Sequence, residues 1–296
     1  MNGGSRTLGW MATVPTPVVE SVVHEPADLA PAVTRCTGYR MTGFAAGRHA
    51  GLPSPSLTLI VSFDDPLTLS RLPDPCASPV RHWTMIGGLH TRPATIEHDG
   101  NQHGIQLDVT PLGARMLLGR PAADLCEGVV ALDEVLGPLA TELHDRLCAL
   151  EPWSARFELL HELLRRRVAQ LDVRVTTRRE LRWAWNQLCG GATGVEALAD
   201  ELGWSRRHLS AQFRDEFGVS PRTMVRIVRF DRARRLLGAE PSQRPTLADV
   251  AHRSGYADQA HLSREWVRLA GTTPTSWLAD EEFPSVQDAH GVALAG

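Results

Sequence analysis

The chain has no lysine: all 31 of its basic residues are arginine. So complete an absence reads as a base-composition bias of the genome, not as a functional signal. No apolar run approaches the roughly 20 residues that cross a bilayer, which argues against a membrane span. The N-terminus lacks the charged-then-apolar pattern of a secretory signal. The five cysteines (Cys36, Cys76, Cys126, Cys148 and Cys189) are odd in number and widely spaced, with no Cys-x-x-Cys. That spacing argues against a disulfide frame or a zinc cluster and places the chain in a reducing cytoplasm. The histidines show no His-x-His pair followed by a glutamate, the pattern of a metal-holding β-barrel. Glu97, His98 and His103 are the nearest remnant. No metal and no cofactor is expected.

What the chain does have is an internal repeat near its C-terminus. Val195 to Pro221 reads VEALADELGWSRRHLSAQFRDEFGVSP, and Leu247 to Trp277 repeats its pattern with one inserted residue. Leu198-Ala199 falls on Val250-Ala251 and Gly203-Trp204 on Gly255-Tyr256. Beyond the turn, Leu209-Ser210 falls on Leu262-Ser263, Phe213 on Trp266, Gly218 on Gly271 and Pro221 on Pro274. Each copy reads as a short apolar helix, a Gly-aromatic turn and a second helix, the layout of a helix-turn-helix. Thr193 to Glu196 carries a capping-box pattern, and Thr246 with Asp249 puts an acid near a positive helix end. Gly203 and Gly255 stand where the first helices must reverse, a position suited to positive φ. Ser205 and Asp258 are natural N-caps for the second helices.

Leu209 with Phe213, and Leu262 with Trp266, lie four apart and should pack inward. The opposite faces carry Arg207, Ser210, Ala211 and Arg214 in the first copy, and Gln259, His261 and Arg264 in the second. Arginine and glutamine suit guanine and adenine edges in a major groove, and small residues permit close approach. A solvated helix face is the plain alternative for one copy; two copies in tandem argue against it.

On these residues the segment from about 180 to 280 resembles the DNA-binding domain of AraC/XylS-type transcriptional regulators. Ser220-Pro221 through Leu237 is similar to that family's linking helix, with Ser220 as N-cap and Pro221 at the first helical position. Gly255 to Trp266, followed by Gly271-Thr-Thr-Pro274, is similar to its second unit. Two positions depart from the pattern: Trp266, where phenylalanine is usual, and Ala211, where a longer polar side chain often reads a base. The resemblance implies seven helices, with two helix-turn-helix units about 34 Å apart reading successive major grooves. It implies base contacts by Arg206, Arg207, Ser210, Ala211, Gln259, His261 and Arg264. Phosphate contacts fall to Ser205, Arg214, Arg226, Arg229, Asp258 and Ser263.

Charge distribution agrees with this reading better than net charge does. Residues 1–173 hold 14 arginines against 19 acids, whereas residues 174–282 hold 17 against 14. The basic excess thus coincides with the repeat, as phosphate binding requires. Arg226, Arg229, Arg232 and Arg235 recur every three residues along the linking helix. Pairing with Asp231 or an ordinary wet face is the alternative for any one of them.

The 296-residue length suggests two domains. Residues 1–20 read as a disordered lead and residues 21–172 as a β-rich domain ending in helices. The DNA-binding domain spans 176–283, with its first unit at about 195–215, linking helix at 221–238 and second unit at about 247–270. A tail occupies 284–296. Strands are expected at Leu57 to Phe63, His82 to Leu89 and Gly104 to Val109, the last with clean alternation. Helices are expected at Leu112 to Leu118, Leu136 to Leu150, Ser154 to Ala169 and Arg174 to Cys189. The fold class is therefore α+β: a β-rich sandwich or barrel followed by helices, then an all-α C-terminal domain.

The segment Gly104 to Gly119 resembles a strand-to-helix piece of the β-rich sensor domains attached to many regulators of this family. That resemblance implies a domain that binds a small effector, dimerises, or both. Phe157, Leu160, Leu163, Leu164 and Val168 form an apolar stripe that suits either a dimer contact or packing within the domain. The function expected is a sequence-specific, DNA-binding, cytoplasmic transcriptional regulator whose partners are double-stranded DNA and a small effector. RNA polymerase and a second copy of the chain are the protein partners the resemblance allows. The alternative is an enzyme or cupin-like metal protein that uses the C-terminal domain for DNA targeting, with Cys36, Cys76 or Cys126 as a nucleophile. Nothing in the cysteine or histidine spacing supports it, so the expectation is a binding protein and not an enzyme.

Overall fold

A computed structural model describes residues 16–171, 177–191, 194–239, 242–280, 283, 284, 286, 292 and 293. Eleven strands occur among them: β1 (Val18–His24), β2 (Val33–Thr42), β3 (Gly47–Gly51), β4 (Leu57–Ser62), β5 (Leu67–Arg71), β6 (Val80–His82), β7 (Thr84–Gly87), β8 (Ala94–His98), β9 (Gln102–Val109), β10 (Val129–Ala131) and β11 (Val292–Ala293). They form a seven-stranded sheet in the order β10-β7-β4-β9-β2-β1-β11 and a four-stranded sheet in the order β3-β8-β5-β6. All pairings are antiparallel except β1 with β11, which is parallel.

Strand β4 shows why the large sheet lies in the middle. Its sequence LTLIVS is apolar at successive positions, the mark of a strand covered on both faces. Leu57, Leu59 and Val61 join Ile105, Leu107 and Val109 of β9 in a core under four helices. These are α1 (Pro111–Leu118), α2 (Asp133–Leu136), α3 (Pro138–Cys148) and α4 (Trp153–Gln170). Ile60 points the other way, into a second core with Leu67, Leu69, Met85 and Ile96 between the two sheets.

The remaining helices are α5 (Arg179–Gly190), α6 (Val195–Glu201), α7 (Arg206–Phe217), α8 (Pro221–Leu237), α9 (Leu247–Arg253), α10 (Gln259–Ala270) and α11 (Pro274–Asp280). They build two cores joined by α8, which at 17 residues runs about 25 Å. The first core packs Trp185, Leu198, Leu209, Phe213, Phe217 and Met224. The second packs Phe230, Leu237, Val250, Leu262, Trp266 and Trp277. Trp266 is fully buried between the rings of Phe230 at 4.8 Å and Trp277 at 5.2 Å.

The β-domain contributes to both of these cores: Leu89 and Leu112 enter the first, and Leu52 the second. A bidentate ion pair reinforces the contact. Arg115 of α1 donates Nε and Nη2 to the two carboxylate oxygens of Glu216 on α7, at 2.6 and 2.7 Å. Thr177 donates its hydroxyl to the same carboxylate at 2.8 Å.

Several expectations need correction. The helix expected from Leu136 to Leu150 is two helices, because Gly137 takes φ 59° and Pro138 starts a new first turn. The strand expected from His82 to Leu89 breaks at Trp83, with β6 in the small sheet and β7 in the large one. The last part of the expected lead is ordered, since β1 begins at Val18 and pairs along β2. The helix expected from Arg174 starts at Arg179, and residues 174–176 lie outside the described residues. In the apolar stripe of α4, Phe157, Leu160, Leu163 and Leu164 are buried within their own domain, so its dimer role falls away. Of the described tail residues, Val286 is buried against the β-domain.

Candidate nucleic-acid interface

The two repeats fold into the same turn, bond for bond. In the first, Gly203 N–H donates to Asp200 O at 3.0 Å and Trp204 N–H to Ala199 O at 2.9 Å. In the second, Gly255 N–H donates to His252 O at 3.1 Å and Tyr256 N–H to Ala251 O at 2.9 Å. Both glycines sit in the left-handed region, at φ 66° and 79°, where a side chain is strained. The second helices are capped alike: Ser205 accepts from His208 N–H at 3.1 Å and Asp258 from His261 N–H at 2.7 Å. Thr246 caps α9 by accepting from Asp249 N–H. The proposed capping role of Thr193 lies outside the described residues; the N-cap of α6 is Gly194.

Burial separates two faces on α7 and on α10. Leu209, Phe213, Leu262 and Trp266 are fully buried. On α7, Arg206, Arg207, Ala211 and Arg214 are exposed and Ser210 is half-buried. On α10, Gln259 and Arg264 are exposed while His261 and Ser263 are half-buried. His261 is partly committed to its own turn, for its Nδ1 accepts from Ala257 N–H at 3.3 Å and its ring meets Tyr256 edge-on. Nε2 is left as the atom it can offer outward.

A cleft of about 480 Å³ lies between the two units, floored by α8. Arg222, Arg226, Arg229 and Arg232 line it, with Gly194 and Gly255 on its walls. Arg222 and Arg206 both approach Glu196, at 3.2 and 3.7 Å. Arg226 and Arg268 converge on Glu265. Burial opposes ionisation of Glu265, but hydrogen bonds from these two arginines outweigh it and hold the carboxyl below its usual range. Among the described residues no carboxylate pairs with Arg229 or Arg232. Arg235 instead pairs with Asp231 at 2.8 Å, and Arg234 is buried beside the same acid. Of the arginines spaced three apart, Arg226, Arg229 and Arg232 line the cleft, whereas Arg235 takes the alternative of pairing with Asp231. The spacing missed Arg222, which stands one turn before Arg226.

Val267 on α10 is 44% exposed, and nothing in an apolar residue at that spacing sets it apart from a core position. Among the described residues no group of three or more His, Cys, Asp or Glu side chains is placed to hold a metal ion. No helix among them is long and apolar enough to cross a membrane.

Comparison with known proteins bears on the same region. Residues 198–280 match a family described as a helix-turn-helix domain. The uncharacterized HTH-type transcriptional regulator YbfI of Bacillus subtilis (strain 168) is 34% identical over 65 residues, 22% of each chain. The HTH-type transcriptional regulator GlxA of Rhizobium meliloti (strain 1021) is 36% identical over 80 residues, 27% of this chain and 24% of that one. The similarity therefore spans about a quarter of these curated relatives. Among solved structures, ToxT from Vibrio cholerae O395 aligns over 88% of this chain and 97% of its own, with 12% identity and a TM-score of 0.47.

Proposed function

We propose that the chain is a sequence-specific DNA-binding transcriptional regulator of the AraC/XylS type, acting as a binding protein and not as an enzyme. The observation that carries this reading is the duplicated unit: two identical turns, two capped helices with buried apolar and exposed polar faces, and an arginine-lined cleft between them. Helices α7 and α10 enter successive major grooves on one side of the duplex. Arg206, Arg207, Ser210 and Ala211 face bases in one groove, and Gln259, His261 and Arg264 in the other. Arg214, Arg226, Arg229 and Ser263 hold phosphates and set the register. Ser205 and Asp258 act through the helix N-termini they cap, which present backbone N–H groups to the backbone anions.

The cleft supports this assignment because, Arg226 on Glu265 apart, its arginines are only lightly committed. Arg206, Arg222 and Glu196 are largely exposed, so water screens these pairs and holds the arginines to Glu196 only weakly. Phosphate oxygens can take over those hydrogen bonds at little cost, whereas Arg229 and Arg232 have no carboxylate to release among the described residues. The β-domain serves as the effector-binding half, and its direct packing on α7 gives an effector a route to the reader. An effector acts by binding one arrangement of the two halves better than the other. A cytoplasmic location, RNA polymerase and a second copy of the chain complete this reading.

Gel-shift measurements on the upstream region of its own gene, with metal analysis of the same preparation, test the proposal. A retarded complex that survives excess unrelated duplex supports it. Binding that unrelated duplex competes away completely overturns the claim of sequence specificity.

A further inference from the structure

The described chain returns to the β-domain after its last helix. Phe283, three residues beyond the end of α11, is 5% exposed, and with Val286 it joins Tyr39 and Met41 in a small cluster of its own. Its ring lies 3.8 Å from that of His98 and 5.2 Å from that of His49, nearly parallel to both, and meets Phe44 edge-on at 5.0 Å. Val286 lines a cavity of about 70 Å³ between the two sheets, whose walls include Leu69, Met85 and Ile96. A phenyl group carried by the DNA-reading half thus stacks on His49, a residue that lines this cavity in the other half.

The polar atoms around that ring are poorly served by it. His98 Nδ1 and Nε2 and His49 Nδ1, on the two rings against it, are buried and make no hydrogen bond among the described residues, nor does Gln102 Nε2, which lines the same cavity as His49. An unsatisfied buried donor or acceptor is costly, and a phenyl ring offers no oxygen to relieve it. Burial keeps both imidazoles neutral near pH 7, pushing His49 down to about 3 and lowering His98. Each neutral ring therefore offers one N–H and one lone pair, and the Gln102 amide adds a donor. The His98 ring stacked on Phe283 at 3.8 Å favours a flat guest in its place, and the unpaired nitrogens call for an oxygen acceptor on that guest. Phenylalanine meets only the first of these requirements.

We propose that the space Phe283 fills beside His98 and His49 is a binding site for a small molecule carrying an aromatic ring and an oxygen hydrogen-bond acceptor, and that Phe283 is its built-in competitor. This rests on the reading of the β-domain as the effector-binding half and adds the ligand's chemistry and the route of coupling. A tethered group competes at an effective concentration in the millimolar range. A ligand sees only the fraction of molecules in which the ring is out, so its apparent affinity falls by that fraction. Because Phe283 is so close to α11, a ligand that takes its place also removes one of the contacts, beside that of Leu52, that hold the second helix-turn-helix unit to the β-domain.

The test is calorimetric titration of the full chain with phenylacetate, with cyclohexylacetate as a control that lacks the flat ring. Phe283→Ala is expected to bind phenylacetate at least tenfold more tightly than the unaltered chain, with a smaller gain for cyclohexylacetate. A chain ending after residue 282, which keeps α11, is the second variant and should show the same gain. Adding His98→Ala to Phe283→Ala, with folding checked by thermal unfolding, should remove it. Equal phenylacetate affinity in the unaltered chain and both variants overturns the inference, as does a gain that survives loss of both His49 and His98. The same proteins run against duplex selected from a random pool separate this result from the regulator reading. Failure to bind any duplex with the phenylacetate gain intact defeats only the regulator; DNA binding without the gain defeats only this site.

Discussion

Replacing Glu216 by alanine strikes the joint between the two halves of the molecule. The carboxylate is 8% exposed and holds three donors at 2.6 to 2.8 Å: both arms of the Arg115 guanidinium and the Thr177 hydroxyl. Breaking a fully buried pair from one side typically costs about 3–5 kcal/mol, because the partner charge is left without compensation. Arg115 is 23% exposed, so water reaches part of its guanidinium and the cost falls to about 2–3 kcal/mol. The buried Thr177 hydroxyl loses its acceptor as well. Urea unfolding of Glu216→Ala, Arg115→Ala and the double variant measures this directly. The coupling energy is expected to exceed about 1 kcal/mol, since the two residues lie in one network. Hydrogen exchange in α7 should rise at the same time, because the β-domain holds that helix through this contact. A cost below about 0.5 kcal/mol for Glu216→Ala, with no coupling, would refute the account of how the halves are joined.

Three further outcomes follow from the same contacts. Arg264→Ala should weaken binding by roughly 1–3 kcal/mol and relax preference at one base pair, measured by competition with single-pair variants of a selected duplex; a loss equal for every sequence makes it a phosphate contact. Arg229→Ala should weaken binding equally across sequences and reduce the slope of log K against log salt by about 0.9, as loss of one phosphate contact requires; an unchanged slope removes the cleft from the interface. The folded His49 takes a proton only near pH 3, against about 6.5 when unfolded, because burial and His98 disfavour its charged form. Its contribution to stability is therefore complete above about pH 6.5 and is lost as pH falls from there toward 3. His49→Gln should flatten the urea-midpoint profile over that window, and an unchanged slope would show that the ring titrates normally.

Legibility in the sequence followed the range of the interactions. The helix-turn-helix units rest on contacts three to five residues apart, so Gly203, Gly255, Ser205, Asp258 and the Leu209–Phe213 and Leu262–Trp266 pairs could be placed from spacing alone. Strand β4 was legible because both of its faces are covered and its composition shows it. The break at Trp83 was not, since an apolar run carries no sign that its two ends join different sheets. Gly137-Pro138 did carry a signal, a glycine followed by a proline inside a helical pattern, and it was overrun by the periodicity on either side. The stripe on α4 shows the limit of amphipathic analysis, which finds an apolar face but not what covers it. Contacts across more than a hundred residues left no trace in spacing. Nothing in the sequence singled out Arg115 or Glu216 as partners, or tied Phe283, the last residue of the expected DNA-binding domain, to the β-domain. His98 and His103 drew attention as candidate ligands, yet they diverge in the fold. His98 stacks on Phe283, whereas His103 Nδ1 meets Asp64 at 3.0 Å.

The central claim is that two matched units engage one duplex together, and hydroxyl-radical footprinting on a selected duplex tests it most directly. Two protected patches should appear on the same face of the DNA, about one helical turn apart. Substituting Gln259 and Arg264 together by alanine should erase one patch and leave the other in place. A single patch confined to one groove, or a footprint indifferent to both substitutions, would contradict the account.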